Sequence, residues 1–180
     1  YGRLSSAEDG GPGRLSRRTD DGSDWVIDGG DGTVEYGIAS GAEATHDYGG
    51  AFAGDVRIYT FGTFTEFDSD NGRWDFDIAN LPSGLRFYQN FGNNTTRATA
   101  GTWGGVTTNV EAVQILGNGL TQAEVDDVLV ALDTDVVSWA AVAWWGSNID
   151  LRGANAAPSA TGLAAKSSLE GKGASVLVNS

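Results

Sequence analysis

Two runs of alternating apolar residues around a turn of Asp and Gly constrain the fold of this chain most strongly. The apolar run 25–27 leads into the turn Gly-Gly-Asp-Gly, and residues 34–38 leave it with an apolar side chain at every second position. Successive side chains of a strand point to opposite faces, and an Asp-Gly turn between two such runs is typical of a hairpin. The sequence therefore predicts an antiparallel pair of strands here.

The composition excludes several classes of partner and site. The 180 residues contain 27 glycines and only 3 prolines, which favours tight turns and short strands. A formal net charge of −13 repels phosphate backbones and anionic lipid, so we predict no nucleic-acid partner. The absence of cysteine excludes disulfides, zinc-thiolate sites and thiol nucleophiles. The longest apolar run, 139–145, is too short to span a bilayer, so we predict no membrane partner.

The amino-terminal segment 1–22 is rich in Gly, Ser and Arg and has no apolar periodicity, which is typical of a flexible arm. The alternative is an arm that becomes ordered on a neighbouring acidic subunit, because arginine is well suited to pairing with carboxylates. The candidate interface residues of the arm are Arg3, Arg14, Arg17 and Arg18. The chain begins at Tyr1 rather than at Met, so we expect it to start after a processing step or within a longer product.

A Gly-Asp-Gly-Thr turn followed by a His-x-Tyr corner characterises residues 23–67. The residues of this pattern are Asp28, Gly30, Asp31, Gly32, Thr33, His46 and Tyr48. In them the chain resembles PKD-like domains, which are small immunoglobulin-like β-sandwiches. The resemblance implies a β-sandwich module over residues 23–67.

The second part of the chain, residues 68–180, repeats a short apolar strand followed by a turn that contains Asn. The turn asparagines are Asn93, Asn118 and Asn155, whose amides can bond backbone groups that a strand end leaves unpaired. This irregular period resembles leucine-rich repeats. Three unrelated strand–turn units are the alternative.

Two helices and a final strand are predicted in this part. Thr121 and Glu124 form a capping box, and an apolar stripe follows at Val125, Val128, Leu129 and Leu132. Ser159 is the predicted cap of a second helix that carries Leu163, Ala164 and Leu169 and ends near Gly171 or Gly173. The last strand is predicted at 175–178.

The carboxy-terminal sequence resembles a known group of proteins. The segments 120–132, 149–159 and 162–179 are similar to the carboxy-terminal segment of many tailed-phage virion proteins. The resemblance implies a structural role in a virion, displayed on the capsid or the tail.

These patterns together predict a mainly β fold, with a PKD- or immunoglobulin-like sandwich and a short leucine-rich-repeat-like α/β segment. The predicted organisation is a flexible arm at 1–22, a PKD-like module at 23–67 and the repeat-like segment at 68–180.

Catalytic chemistry has little support in the sequence. His46 is the only histidine, and in the His-x-Tyr corner it is typical of a hydrogen-bonded structural residue. Acyl transfer would need a nucleophile in a sharp turn such as Gly-x-Ser-x-Gly, which the chain lacks. Paired carboxylates are frequent, but no pair stands in a distinctive motif. We predict that the protein is not an enzyme.

We predict no cofactor and no metal site, with calcium as the alternative. Oxygen-rich turns of the kind that hard cations favour contain Asp28, Asp31, Asp68 and Asp70. Arg73 stands where a calcium loop needs its turn glycine, and Ala79 where it needs its closing Glu. Solvated turn acids are therefore the favoured interpretation.

The aromatic residues support two interpretations, a sugar-stacking platform and core or subunit contacts. The platform candidates are Trp103, Trp139, Trp144, Trp145, Tyr88 and Phe91. We favour a subunit interface formed by Trp103, Trp144 and Trp145, since an exposed tryptophan cluster on a free monomer promotes aggregation. Trp25 and Trp74 are further candidates for core or contact anchors.

The predicted function is that of a non-enzymatic phage virion structural protein, a capsid decoration or a tail or fibre component. Its predicted partners are other copies of itself or a major capsid or tail protein. The alternative is a receptor- or glycan-binding adhesion module of a phage fibre or a bacterial surface protein, located outside the cell or on its surface.

Overall fold

The fold is known from a computed structural model that describes part of the chain. The described residues are 2–5, 13–19, 24–29, 32–40, 43–46, 55–60, 64–70, 75–77, 87–91, 95–97, 111–136, 139 and 147–180.

Among the described residues, only strands occur before residue 120, and both helices lie between residues 122 and 171. The strands up to residue 77 are Gly2–Ser5 (β1), Gly13–Thr19 (β2), Trp25–Asp28 (β3), Val34–Ile38 (β4), Glu43–His46 (β5), Asp55–Thr60 (β6), Phe64–Asp70 (β7) and Asp75–Asp77 (β8). The later strands are Phe87–Phe91 (β9), Thr95–Arg97 (β10), Ala112–Leu116 (β11), Ile149–Asp150 (β12) and Val176–Leu177 (β13). The helices are Gln122–Asp135 (α1) and Ala160–Gly171 (α2).

One sheet has the strand order β13-β12-β11-β9-β7-β2-β5. Strands β7, β9, β11, β12 and β13 run parallel in the order in which they occur in the chain, whereas β2 pairs antiparallel with both β7 and β5. Parallel neighbours need a crossover connection. Helix α1 lies in the connection from β11 to β12, and α2 in the connection from β12 to β13.

The other sheet has the strand order β10-β8-β1-β6-β3-β4. The predicted hairpin is confirmed, because β3 and β4 pair antiparallel on either side of the Asp-Gly turn. The N–H of Gly29 donates to the carbonyl of Thr33 at 2.9 Å across that turn. Gly32 has a φ of +96°, a conformation that glycine adopts without the steric cost that a Cβ would bring.

Helix α1 confirms the predicted capping box and apolar stripe. The N–H of Glu124 donates to the Thr121 hydroxyl oxygen, and the N–H of Thr121 donates back to the Glu124 carboxylate at 2.7 Å. The buried face consists of Val125, Val128, Leu129, Ala131 and Leu132.

Helix α2 is capped by Ser159 and ends at Gly171, as predicted. Of the three residues predicted on this helix, Leu169 is buried, whereas Leu163 is 48% exposed and Ala164 is also exposed. The residues of α2 that are buried are Gly162, Ala165 and Leu169. The small residues at 162 and 165 let α2 lie close against α1.

The best-developed part of the core lies between the two helices and strands β11 to β13. Its fully enclosed side chains include Val113, Ile115, Leu129, Ile149 and Leu151, each with no exposed surface. Burying one such side chain stabilises the fold by about 1.5–3 kcal/mol relative to leaving it in water. Helix-on-sheet packing is therefore the main apolar contact of residues 111–180.

The predicted fold class, a mainly β sandwich with a short repeat-like segment, is wrong. Among the strands whose side chains the structure describes, β3 and β4 form one small antiparallel pair, and β11, β12 and β13 form one small parallel group. Two helices cover that parallel group. A sandwich needs two antiparallel sheets whose apolar faces pack on each other. Here the apolar faces that meet belong to helices and parallel strands.

The predicted domain boundaries stay predictions. Strands β1 and β2 lie in the segment predicted as an arm, and the boundary after residue 67 falls within β7.

Candidate functional site

The carboxyl ends of β11, β12 and β13 meet at one edge of the parallel sheet, where each strand runs into a turn that contains Asn. Asn118 and Asn155 lie in bends after β11 and β12, as predicted from the sequence, whereas Asn93 lies outside the described residues. Asn179 follows β13. In open α/β sheets this edge is where ligands usually bind. Its polar groups therefore form the first candidate site.

Asn155 is buried and links two strand–turn units. Its side-chain N–H groups donate to the carbonyl of Ile115 at 2.6 Å and to that of Leu151 at 3.0 Å. Its side-chain oxygen accepts from the N–H of Leu120 at 3.1 Å. One amide thus satisfies backbone groups of two successive units, which would otherwise be buried without partners.

Asn179 repeats this arrangement one unit later. Its side-chain N–H groups donate to the carbonyls of Gly153 at 2.9 Å and Asn155 at 2.5 Å. The bends also approach each other closely, since a Cβ at Gly153 would lie 2.9 Å from the backbone nitrogen of Gly117. Asn155 and Asn179 each bond backbone groups of the preceding strand–turn unit.

Asn148 has a similar role at the amino ends of the same strands. Its side-chain N–H donates to the carbonyl of Glu111 at 3.0 Å, and its side-chain oxygen accepts from the N–H of Ser175 at 2.9 Å. It therefore ties the start of β11 to the start of β13. We call Asn148, Asn155 and Asn179 the bracing asparagines.

The one charged pair at this edge among the described residues joins Asp150 and Arg152. Asp150 is 5% exposed, and the Arg152 guanidinium donates to its two oxygens at 2.9 and 2.7 Å. The hydrogen bond to Asp150, and then its charge, raises the pKa of Arg152 above its ordinary value. A guanidinium has five N–H donors, so the exposed head of Arg152 keeps donors that face solvent.

A second polar junction joins the helices. The Asp126 carboxylate on α1 accepts from the backbone N–H of Ser159 at 2.9 Å and from the Ser159 hydroxyl. A Cβ at Gly162 would lie 2.8 Å from the Pro158 side chain and closer still to the Asp126 carboxylate. A carboxylate near a helix amino terminus interacts favourably with the helix dipole. Asp126 therefore fixes α2 against α1, and Gly162 leaves the room for it.

The opposite ends of the helices are joined by Lys172 and Asp133. The Lys172 ammonium lies 2.9 Å from an Asp133 carboxylate oxygen and also donates to the Asp133 carbonyl. The N–H of Trp139 donates to the Lys172 carbonyl at 3.2 Å. A cation near a helix carboxyl terminus is stabilised because that end of the helix dipole is negative.

An exposed apolar surface on β4 and β6 is the second candidate site. Val34 is 42% exposed, Tyr36 74% and Tyr59 38%. The strand register places Val34 opposite Asp28 and Tyr59 opposite Val26, so Val34 and Tyr59 share one face of the sheet. Tyr36 lies beside the irregular register of β4. We call Val34, Tyr36 and Tyr59 the tyrosine surface.

The predicted interface stays a prediction. Arg3 lies in β1, and the other three arginines lie in β2 of the other sheet. Trp74, Trp103, Trp144 and Trp145 lie outside the described residues. Trp25 lies in β3 and His46 in β5.

Two residues of the predicted sugar-stacking platform belong to the core instead. Tyr88 is 1% exposed and Trp139 is 7% exposed, and both lie in the buried cluster. Neither can stack on a ligand from solvent.

The calcium alternative stays a prediction. Asp28 lies in β3 and Asp68 and Asp70 lie in β7, while Asp31 lies outside the described residues. Within the residues that the structure covers, no three side chains of His, Asp or Glu form a group that could hold a metal ion. A search of the same residues finds no helix long and apolar enough to cross a bilayer.

Several residues of these sites were not singled out by sequence reasoning. Asn148 stands in no motif, and Asp126, Gly162 and Asn179 lie in the segments 120–132 and 162–179 without a role predicted for any of them. The available signal was the recurrence of Asn near strand ends, which extends to Asn148 and Asn179.

Comparison of the chain with protein-family models, with curated proteins and with solved structures finds no match.

Proposed function

We propose that this protein is a non-enzymatic structural component of a tailed-phage virion, a capsid decoration or a part of the tail or fibre. It acts by packing on other copies of itself or on a major capsid or tail protein. The proposal combines the resemblance of segments 120–132, 149–159 and 162–179 to virion proteins with the way polar side chains are used in the described structure.

The observation that carries the proposal is the cross-bracing of residues 111–180. Asn148, Asn155 and Asn179 bond backbone groups of neighbouring strand–turn units, and Asp126 bonds the start of α2. The hydrogen-bonding groups of these side chains bond other groups within residues 111–180 and so keep this part of the chain rigid. A rigid unit loses little conformational freedom when it packs on a neighbour, which favours assembly.

The amino-terminal segment 1–22 offers arginines for an interface, and its four arginines are balanced by four acidic residues. The net charge is −13, yet four of the eleven basic residues lie within 1–22. We propose that Arg3, Arg14, Arg17 and Arg18 contact carboxylates of a neighbour, and that Trp103, Trp144 and Trp145 supply apolar contact. Aromatic and arginine side chains are enriched where interface energy concentrates.

The test is to locate the chain in native particles. Particles purified on a density gradient are labelled with an antibody against this chain and viewed by electron microscopy, while the soluble fraction is assayed in parallel. Regular labelling of capsid or tail is expected. A chain found only in the soluble fraction would overturn the proposal, and so would turnover of a small molecule by the free monomer.

A glycan-binding adhesion module is the second candidate, and the tyrosine surface favours it. An exposed aromatic ring can stack on the apolar face of a sugar, and Tyr36 is 74% exposed. Glycan-array binding that disappears in Tyr36→Ala and persists in Leu163→Ala would support it. Leu163 is the matched control because it is also exposed but lies on α2. Absence of binding by the unmodified chain would exclude this candidate.

A further inference from the structure

The tyrosine surface belongs to a part of the chain that carries acids and no bases. Residues 24–40 contain four acidic residues and neither lysine nor arginine. Tyr36 is the most exposed large side chain of this segment, and Asp24 and Glu35 are exposed as well. An exposed ring and exposed carboxylates therefore occur together at the β3–β4 hairpin.

Two of these carboxylates lie close to Tyr36 along the chain or in space. Glu35 precedes it in β4, and a Cβ at the following residue, Gly37, would lie 3.9 Å from a carboxylate oxygen of Asp24. Asp28 differs from them, because the strand register places it opposite Arg57 in β6. Among the residues that the structure describes, Asp24 and Glu35 form no ion pair. Their charges are therefore available to a partner.

The combination of ring and carboxylates favours a cationic group as the ligand. The face of an aromatic ring attracts an ammonium or guanidinium group within about 6 Å of its centroid. A carboxylate beside the ring can form a charge-assisted hydrogen bond with the same cation. An anion would be repelled by both carboxylates and by the net charge of −13. The surface is therefore complementary in charge to arginine and lysine side chains.

The apolar residues of the tyrosine surface indicate a protein segment rather than a simple ion. Val34 and Tyr59 are both exposed and share one face of the sheet. The side chains of lysine and arginine carry an apolar stem behind the charged head, and such a stem packs on apolar surface. A metal ion or a free ammonium ion has no stem and would leave Val34 and Tyr59 in water.

We propose that the tyrosine surface, together with Asp24 and Glu35, binds a protein segment that presents arginine or lysine side chains. The cation of that segment lies over the ring of Tyr36 and pairs with the two carboxylates, and its stem packs on Val34 and Tyr59. The proposal rests on the proposed virion function and names the chemistry that a capsid or tail protein would present to this surface. Because part of the attraction is between charges, added salt weakens it.

The first test titrates the unmodified chain with a fluorescently labelled peptide of alternating glycine and arginine, followed by anisotropy at physiological salt. Tyr36→Ser and Glu35→Gln should each raise the dissociation constant by about fivefold or more. The matched controls are Leu163→Ser and Asp127→Asn, which change an exposed apolar residue and an exposed acid on the helices. The controls should raise the dissociation constant by less than about twofold.

The second test needs no substitution in the chain. The NMR signals of the Tyr36 ring should shift during the titration, whereas the methyl signals of Leu163 stay unchanged. A peptide with citrulline in place of arginine keeps the size of the side chain without its charge and should not bind.

Equal weakening by Glu35→Gln and Asp127→Asn would overturn the inference, because each removes one negative charge and net charge alone would then explain the binding. It would also be overturned by unchanged binding of Tyr36→Ser, by equal binding of the citrulline peptide, or by no binding of the arginine peptide. Binding of neutral sugars without binding of the arginine peptide would overturn it in favour of the glycan-binding module. Labelling of native particles decides separately whether the chain belongs to a virion, so the structural role can stand if this contact fails.

Discussion

The helix-and-sheet layer 111–180 and the β3–β4 hairpin use polar and apolar side chains in opposite ways. In the layer, polar side chains are turned inward to bond the backbone of distant units, as Asn155 does with the carbonyl of Ile115 40 residues away. In the hairpin, β4 has exposed side chains along most of its length, including Tyr36 at 74%. The comparison indicates that rigidity is concentrated in the layer, whereas the hairpin offers surface for contact.

The largest effect is expected for Asn155→Ala, which removes a brace inside the layer. The carbonyls of Ile115 and Leu151 and the N–H of Leu120 would lose a partner in a buried position. Because each unsatisfied buried group costs about 1–3 kcal/mol, we expect a loss of about 3–5 kcal/mol of unfolding free energy. This loss of unfolding free energy is measured by urea denaturation, with the circular dichroism of the helices as the signal. A loss below 1 kcal/mol would show that the layer does not depend on its asparagines.

The second-largest loss of stability is expected for Gly162→Ala, which tests the contact between the helices. A methyl group there would overlap the Asp126 carboxylate, which cannot move freely because Ser159 holds it twice. Overpacking of this kind costs about 1–3 kcal/mol, and we expect the upper part of that range. Thermal unfolding is the measurement.

Gly171→Ala is the matched control on the same helix. Nothing lies within 4 Å of a Cβ at Gly171, so this variant should be as stable as the original chain or up to about 1 kcal/mol more stable. Equal destabilisation by both changes would mean that loss of glycine flexibility, rather than the Asp126 contact, is responsible.

The caps of the two helices and the contact between the helices show how far the sequence could predict the layer. The start of α1 and its apolar stripe were predicted because their signals are local: Thr121 and Glu124 are three residues apart and the stripe has helical spacing. Ser159 was predicted as a cap for the same reason. The role of Asp126 was not predicted, because its partner Ser159 lies 33 residues away in the sequence and no local pattern indicates a contact between residues so far apart.

The fold class could not be predicted for a related reason. Alternation and an Asp-Gly turn dictate a hairpin, and β3 and β4 form one. They do not dictate which faces meet across the core. That is decided by the parallel order of β11, β12 and β13 and by the burial of α1 and α2 on them, which are non-local contacts. The resemblances to PKD-like domains and leucine-rich repeats stay predictions.

A smaller effect is expected for Asn179→Ala, the brace at the edge of the layer. Its two hydrogen bonds to the carbonyls of Gly153 and Asn155 lie nearer to solvent than those of Asn155. Water can replace part of them, so we expect a loss of about 1 kcal/mol, measured by the same urea denaturation. A loss equal to that of Asn155→Ala would show that β13 is as deeply integrated as β12.

The smallest effect on stability is expected for Tyr36→Ser on the hairpin. Replacing a side chain that is 74% exposed should change the unfolding free energy by less than about 0.5 kcal/mol, because little apolar surface is uncovered. The same change should reduce binding to any partner that uses the tyrosine surface. Thermal unfolding and binding are therefore measured on one sample. If Tyr36→Ser unfolds as easily as Asn155→Ala, then the hairpin is part of the rigid core and the contrast between the two regions does not hold.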